Sequence, residues 1–124
     1  MTFSIVGHCE RTGMTGVAIT TSSICVGSRC PWVRAGAGAV STQNVTDPSI
    51  GNEVLDFLTD GSSAADAVRQ VMMNRSHAEY RQVAVADQQG NTAHFTGENI
   101  LGIHAVAEGQ SCVAAGNLLS TAEV

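Results

Sequence analysis

Polar and apolar residues alternate from the second position onward. Thr2-Phe3-Ser4-Ile5-Val6 predicts a strand over 2–7 with every other side chain on each face. The polar turn Glu10-Arg11-Thr12-Gly13 leads into a second strand over 15–20, and the two predict a hairpin with a loop longer than two residues. A third apolar stretch, 23–26, ends at Gly27 and gives way to Cys30-Pro31-Trp32-Val33-Arg34. Residues 35–43, Ala-Gly-Ala-Gly-Ala-Val-Ser-Thr-Gln, read as a strand of small residues, which leaves room for a close approach by a helix or a ligand.

The period then changes. Asp47-Pro48 predicts a helix start, a capping Asp followed by Pro in the first turn; Ile50, Val54, Leu55 and Leu58 fall on one face, and Gly61 stops the helix. A second helix starts at Ser62-Ser63, with Asp66 as a capping-box variant, and buries Ala67, Val68, Val71 and Met72. The pair is expected to form an αα-hairpin on the preceding strands. After a polar break over 74–79, residues 81–87 and 92–96 predict a hairpin around Gln88-Gln89-Gly90-Asn91, and 111–115 a last strand entering Gly116-Asn117-Leu118-Leu119. Ser120-Thr121-Ala122-Glu123 reads as the capping box of a further helix, so the chain is expected to be one portion of a longer or split domain.

At 124 residues and 44% hydrophobic, the chain is of single-domain size and can bury a core. Six basic residues, all arginine, stand against eleven acidic ones for a net charge of -5, which argues against nucleic acid or anionic membrane as partners. With no secretion signal and no spanning apolar run, the cytoplasm is the expected compartment. Cys9, Cys25, Cys30 and Cys112 are therefore expected to be free thiols. Cys25 and Cys30 have the loose spacing of a zinc knuckle, with His77, His94 and His104 nominally able to complete it. No second close pair follows, and Cys25 beside Ile24 and Val26 reads as a small hydrophobe, so no metal is expected.

The candidate chemistry sits at the start. Removal of Met1 would leave Thr2 with a hydroxyl and a free α-amine, whose pKa of about 7.7 to 8.0 lets it act as base near neutral pH. Ser4 shares the face of Thr2 and could assist it, or bond to a neighbouring strand. His8 and Cys9 are adjacent, so their side chains should diverge and not form a nucleophile pair. Gly36-Ala37-Gly38 lacks the lysine and hydroxyl of a phosphate loop and reads as close packing.

Strands, two helices and strands again, starting at a threonine, resemble half of an N-terminal nucleophile (Ntn) hydrolase. More specifically, the chain resembles the family called domain of unknown function 1028, through Met1-Thr2-Phe3-Ser4-Ile5-Val6, Pro31-Trp32-Val33-Arg34-Ala35-Gly36, Gly38-Ala39-Val40-Ser41-Thr42-Gln43, Arg81-Gln82-Val83, His94-Phe95-Thr96-Gly97 and Gly116-Asn117-Leu118-Leu119. The resemblance implies an α+β, Ntn-like αββα sandwich, incomplete in this chain, that hydrolyses a small amide or cyclic amide without metal or organic cofactor. Thr2 would be the nucleophile, and Asn117 an oxyanion donor or a turn residue. Arg34 would clamp a substrate carboxylate or pair with Asp47 or Glu53, and Gln43 would bind substrate or cap its strand. Homo-oligomerisation, or association with the missing C-terminal half, is also implied. Relatives often carry a lysine where this chain has Ser22-Ser23, which leaves the α-amine of Thr2 as sole base. The alternative is an inactive Ntn-like binding or structural module.

Overall fold

The N-terminal alternation becomes β1 (Thr2–Cys9), paired antiparallel with β2 (Met14–Thr21), in a computed structural model that describes residues 1–123. A short 3-10 turn, Val26–Ser28, leads to β3 (Pro31–Arg34) and β4 (Gly38–Asn44). Two helices follow, α1 (Pro48–Thr59) and α2 (Ala64–Met72), then β5 (Arg81–Asp87), β6 (Thr92–Thr96), β7 (Ile103–Gly109) and β8 (Cys112–Leu119). The strands make two four-stranded antiparallel sheets, β2-β1-β8-β7 and β3-β4-β5-β6.

Local chemistry sets both helices where the sequence places them. The Asp47 carboxylate accepts from the Ser49 amide at 3.1 Å with Pro48 in the first turn, and the Ser63 hydroxyl accepts from the Asp66 amide at 3.1 Å. Gly61, at φ +92°, takes the left-handed conformation that ends α1. The apolar stripes of α1 and α2 (Ile50, Val54, Leu55, Leu58, Ala67, Val68, Val71) bury against Val40, Val83 and Val85 of the second sheet. A second, thinner core lies between the sheets, where Val6 and Val113 meet Ala39, Ala84, Ala86 and Ala115.

Several expectations are corrected. The chain is not an αββα sandwich. Both helices lie in one connection, between β4 and β5, and both pack on the β3-β4-β5-β6 sheet. No described helix covers the other sheet, whose outer face leaves Phe3, Ile5 and Met14 exposed. The architecture is mostly antiparallel sheet, α+β only in the loose sense. Residues 35–37 are a turn, not strand, closed by the Ala37 amide on the Arg34 carbonyl at 3.1 Å. Cys25 is exposed, as is Ile24, so the apolar stretch over 23–26 does not enter a core. Strand β7 has no counterpart in the sequence reading, and Gly116 to Leu119 lie within β8. Residues 120–123 form a bend and a turn, in which the Glu123 amide reaches the Thr121 hydroxyl at 3.4 Å. Among the described residues, no helix is long and apolar enough to cross a membrane.

Candidate active site

Alternation along β1 turns Ser4 and Val6 inward, and half-buried Thr2 shares their parity. Thr2 is flanked in register by Thr21 of β2 and Asn117 of β8, so three polar side chains meet at one end of the sheet. The Thr2 and Thr21 hydroxyl oxygens are 2.8 Å apart. Thr21 Oγ1 donates to the Met1 carbonyl at 3.2 Å and accepts from the Ser23 amide at 3.1 Å. Each hydroxyl carries one hydrogen, and either threonine can be the donor in this pair. Met1 is held besides by its ammonium on Ser22 Oγ at 3.3 Å and by the Ser22 amide on its carbonyl at 3.2 Å.

Behind Thr2 the gap between the sheets turns from apolar to polar. Ser4 Oγ donates to Gln43 Oε1 at 2.7 Å, joining β1 to β4 across the sandwich. Gln43 Nε2 donates in turn to Gln82 Oε1 at 2.8 Å and to the Ala115 carbonyl at 3.1 Å. All three side chains are buried, which makes each of these bonds costly to lose. Ser4 is thus bonded to the opposite sheet, not to a neighbouring strand, and Gln43 ties the sheets together instead of capping its own strand.

Asn117 is buried inside β8 and is not a turn residue. Its Nδ2 donates to Asn44 Oδ1 at 3.1 Å, while its Oδ1 is buried with no partner. Asn44 takes the left-handed conformation (φ 72°) at the end of β4, donating to the Tyr80 carbonyl at 2.7 Å and accepting from the Leu101 amide at 3.2 Å. It locks Asn117 in place.

The cation near this cluster is not the one expected. Arg34 points along the helix layer, donating to Asp56 Oδ1 at 2.7 Å and Thr59 Oγ1 at 3.1 Å, and contacts neither Thr2 nor its neighbours. Arg29 reaches the cluster instead. It donates to Ser23 Oγ at 2.7 Å, the Ile24 carbonyl at 3.1 Å and Thr46 Oγ1 at 2.6 Å, and the amide of that same Ser23 holds Thr21. Residues Thr21, Asn44, Gln82 and Arg29 all escaped the sequence reading. Arg29 lies inside the Cys25-to-Cys30 segment, where nothing local marks it as a partner of the N-terminal strands. Those cysteines are free, as are Cys9 and Cys112. Burial pushes the Cys30 thiol up, whereas the Thr12 hydroxyl and the amides of Thr12 and Arg11 pull that of Cys9 down. Among the described residues, no three His, Cys, Asp or Glu side chains gather as a metal site would require.

This arrangement supplies a partly accessible hydroxyl bonded to a second hydroxyl, an amide side chain directly opposite, and a rigid polar floor. Residues 2–124 match the sequence model of a family described as being of unknown function, DUF1028. The crystal structure of protein SPO2555 from Silicibacter pomeroyi, described with the same family model, is similar at a TM-score of 0.91 and 39% identity over 95% of this chain. The match covers 53% of that protein, so this chain spans about half its length. A search of curated proteins found no match.

Proposed function

The chain belongs to DUF1028, a family of unknown function, and from that premise we propose that it hydrolyses a small amide or cyclic amide with Thr2 as an N-terminal nucleophile, in the manner of the Ntn hydrolases. The observation that carries the reading is the Thr2 hydroxyl, set between Thr21 and Asn117 and hydrogen-bonded to the Thr21 hydroxyl.

The reading requires Thr2 to be the first residue of the mature chain. Loss of Met1 removes the carbonyl to which Thr21 donates, which frees the Thr21 hydrogen for Thr2. The new α-amine, with a pKa of about 7.7 to 8.0, takes the Thr2 hydroxyl proton. Oγ1 then bonds to the substrate carbonyl carbon, and backbone amides together with the Asn117 amide face the resulting oxyanion. The amine passes its proton to the leaving nitrogen as the carbon–nitrogen bond breaks, and water cleaves the acyl ester to restore Thr2. Ser4 and Gln43 act beneath as supports, and Arg29, acting through Ser23, orients Thr21.

A second reading, a binding or structural module without catalysis, is favoured by Met1 itself, whose ammonium and carbonyl are both hydrogen-bonded to the end of β2. With Met1 retained, the Thr2 nitrogen is an amide and has no base strength. Intact mass of the purified protein separates the two readings, followed by assay of Thr2→Ala against a panel of small amides. Alanine permits the same trimming, so this variant keeps the amine and loses only the hydroxyl. A mass lacking Met1 and a loss of turnover of about a thousandfold or more in Thr2→Ala are expected. Retained Met1, or undiminished turnover in the variant, overturns the hydrolase.

A further inference from the structure

Strand β6 leaves one side of its main chain unpaired. Register sets Ala93 opposite Val85 and Phe95 opposite Val83, and just beyond these pairs the Asp87 amide bonds the Asn91 carbonyl and the Gly97 amide the Arg81 carbonyl, each at 2.9 Å. Bonded and unbonded pairs alternate along an antiparallel ladder. The odd-numbered residues of β6 therefore hold it to β5, and the amides and carbonyls of Thr92, His94 and Thr96 point the other way. β6 is the last strand of its sheet, and among the described residues no main-chain partner meets these groups. Other edges are guarded. β3, at the far side of the same sheet, is four residues long and starts with Pro31, and β7 shifts register between Ile103 and Ala105. β6 keeps its register throughout and carries no proline, lysine or acid.

Beside that edge runs a groove of about 650 Å³. Ala65, Val68 and Met72 of α2, with Met73 just beyond it, form one wall, and Ala93 and Phe95 form the floor. The opposite rim is polar: His94 Nε2 lies 3.4 Å from Glu108 Oε1 of β7. The two rims differ in charge. Arg69 of α2 is matched by Asp66 at 2.6 Å. Glu108 has only His94, which balances it when the imidazole is protonated and not otherwise. The groove thus keeps a half-exposed acid at its β7 rim, in a chain of net charge -5.

We propose that β6 accepts an extended peptide segment as a fifth strand of its sheet, with apolar side chains against α2 alternating with basic ones towards Glu108. The main chain of the segment meets the outward amides and carbonyls of Thr92 and His94, which is the source of affinity in strand addition. Side chains of a strand alternate, so those level with Ala93 and Phe95 enter the apolar wall. Those level with Thr92 and His94 lie on the Glu108 side, where a lysine or arginine complements the carboxylate. The site shares no residue with the Thr2 cluster and stands whether or not the chain is a hydrolase.

The test uses the full chain and the peptide fluorescein-Val-Lys-Val-Lys-Val-amide, followed by fluorescence polarisation. One control peptide carries glutamate in place of lysine, and another is N-methylated on every residue, which keeps the side chains and removes every backbone donor. Saturable binding of the lysine peptide is expected, with both controls weaker by about tenfold or more. His94→Pro removes an outward amide without breaking a ladder bond, as proline is tolerated at an edge whose N–H faces away. It is expected to weaken the lysine peptide about tenfold, whereas His94→Ala keeps the amide and the binding. Glu108→Gln is expected to bring the lysine and glutamate peptides to equal affinity, a readout that does not depend on how well the proline variant folds. Absence of saturable binding, undiminished binding of the N-methylated peptide, a lysine preference that survives Glu108→Gln, or equal losses in His94→Ala and His94→Pro overturns the proposal. A chain that sediments as a dimer and becomes monomeric in His94→Pro assigns the edge to a second copy, and overturns it too.

Discussion

Thr2 and Thr21 face each other across β1 and β2 with their hydroxyl oxygens 2.8 Å apart. Thr21 is the hydrogen-bond partner that fixes the rotamer of the Thr2 hydroxyl. Thr21→Val keeps the shape and removes that partner. It is expected to cost about 1 kcal/mol of stability in urea denaturation, and, if Thr2 is the nucleophile, to lower kcat about ten- to a hundredfold. Thr21→Ser restores the hydroxyl and is expected to recover most of kcat, a rescue that a purely packing role would not give.

The bridge from Ser4 through Gln43 to Gln82 is the polar floor of the same site. Gln43→Leu removes both ends of that bridge and leaves the Ser4 hydroxyl and Gln82 carbonyl buried without partners, an expected loss of about 3 kcal/mol. Ser4→Ala removes one bond only, because Gln43 Oε1 also faces Ser41 Oγ at 3.5 Å, and about 1 kcal/mol is expected. Urea midpoints at neutral pH give both numbers, and a larger loss for Ser4→Ala would contradict this order.

What the sequence disclosed depended on range. Asp47-Pro48, Ser63 with Asp66, and Gly61 were legible because a cap is made by residues two or three apart, and the same holds for the alternation that aims Thr2 and Ser4 inward. Gln43 meeting Ser4, 39 residues away, depends on how two sheets stack, and nothing local encodes it. Arg34 could be seen to need an acid, read as Asp47 or Glu53, but the fold sets it on Asp56 of α1 instead. Strand β7 was missed because its register shifts between Ile103 and Ala105 and most of its residues are exposed, which erases the alternation. The second helical layer was expected from the resemblance and from the capping box over 120–123, and no described residue supplies it.

Asp47 gives the fold an acid-sensitive point. Burial raises its pKa, but the hydroxyl and amide of Ser49, with the charges of Arg75 and Arg81, outweigh that and hold the carboxyl below its ordinary range. A depressed folded-state value means stability that is present above the unfolded pKa of about 3.9 and lost as pH falls through the folded pKa. Asp47→Asn keeps a good capping side chain and removes only the charge. The variant is expected to be less stable than the parent at pH 7 and to approach it near pH 3, as read from urea midpoints at the two pH values. A gap that persists at low pH would assign the loss to packing instead.

Gly51 lies in α1, where alanine ordinarily stabilises a helix by up to about 1 kcal/mol. Here the sign should reverse. A Cβ at this position would stand 2.2 Å from Cδ1 and Cγ of Trp32, a rigid ring held in place by its Nε1 donating to the Arg29 carbonyl at 3.3 Å. Gly51→Ala must push α1 off β3 or turn the indole, and an overpacking loss of about 2 kcal/mol is expected. Trp32 is the single tryptophan, so its fluorescence reports the displacement directly. Turning the ring also loosens the carbonyl of Arg29, whose side chain holds Ser23 and, through its amide, Thr21. The loss should therefore be felt at Thr2 as well as in the core. Trp32→Ala in the Gly51→Ala background removes the ring atoms that the methyl would strike, and the double variant is expected to be more stable than the sum of the two single losses. Strict additivity would mean that helix and ring do not compete for this space.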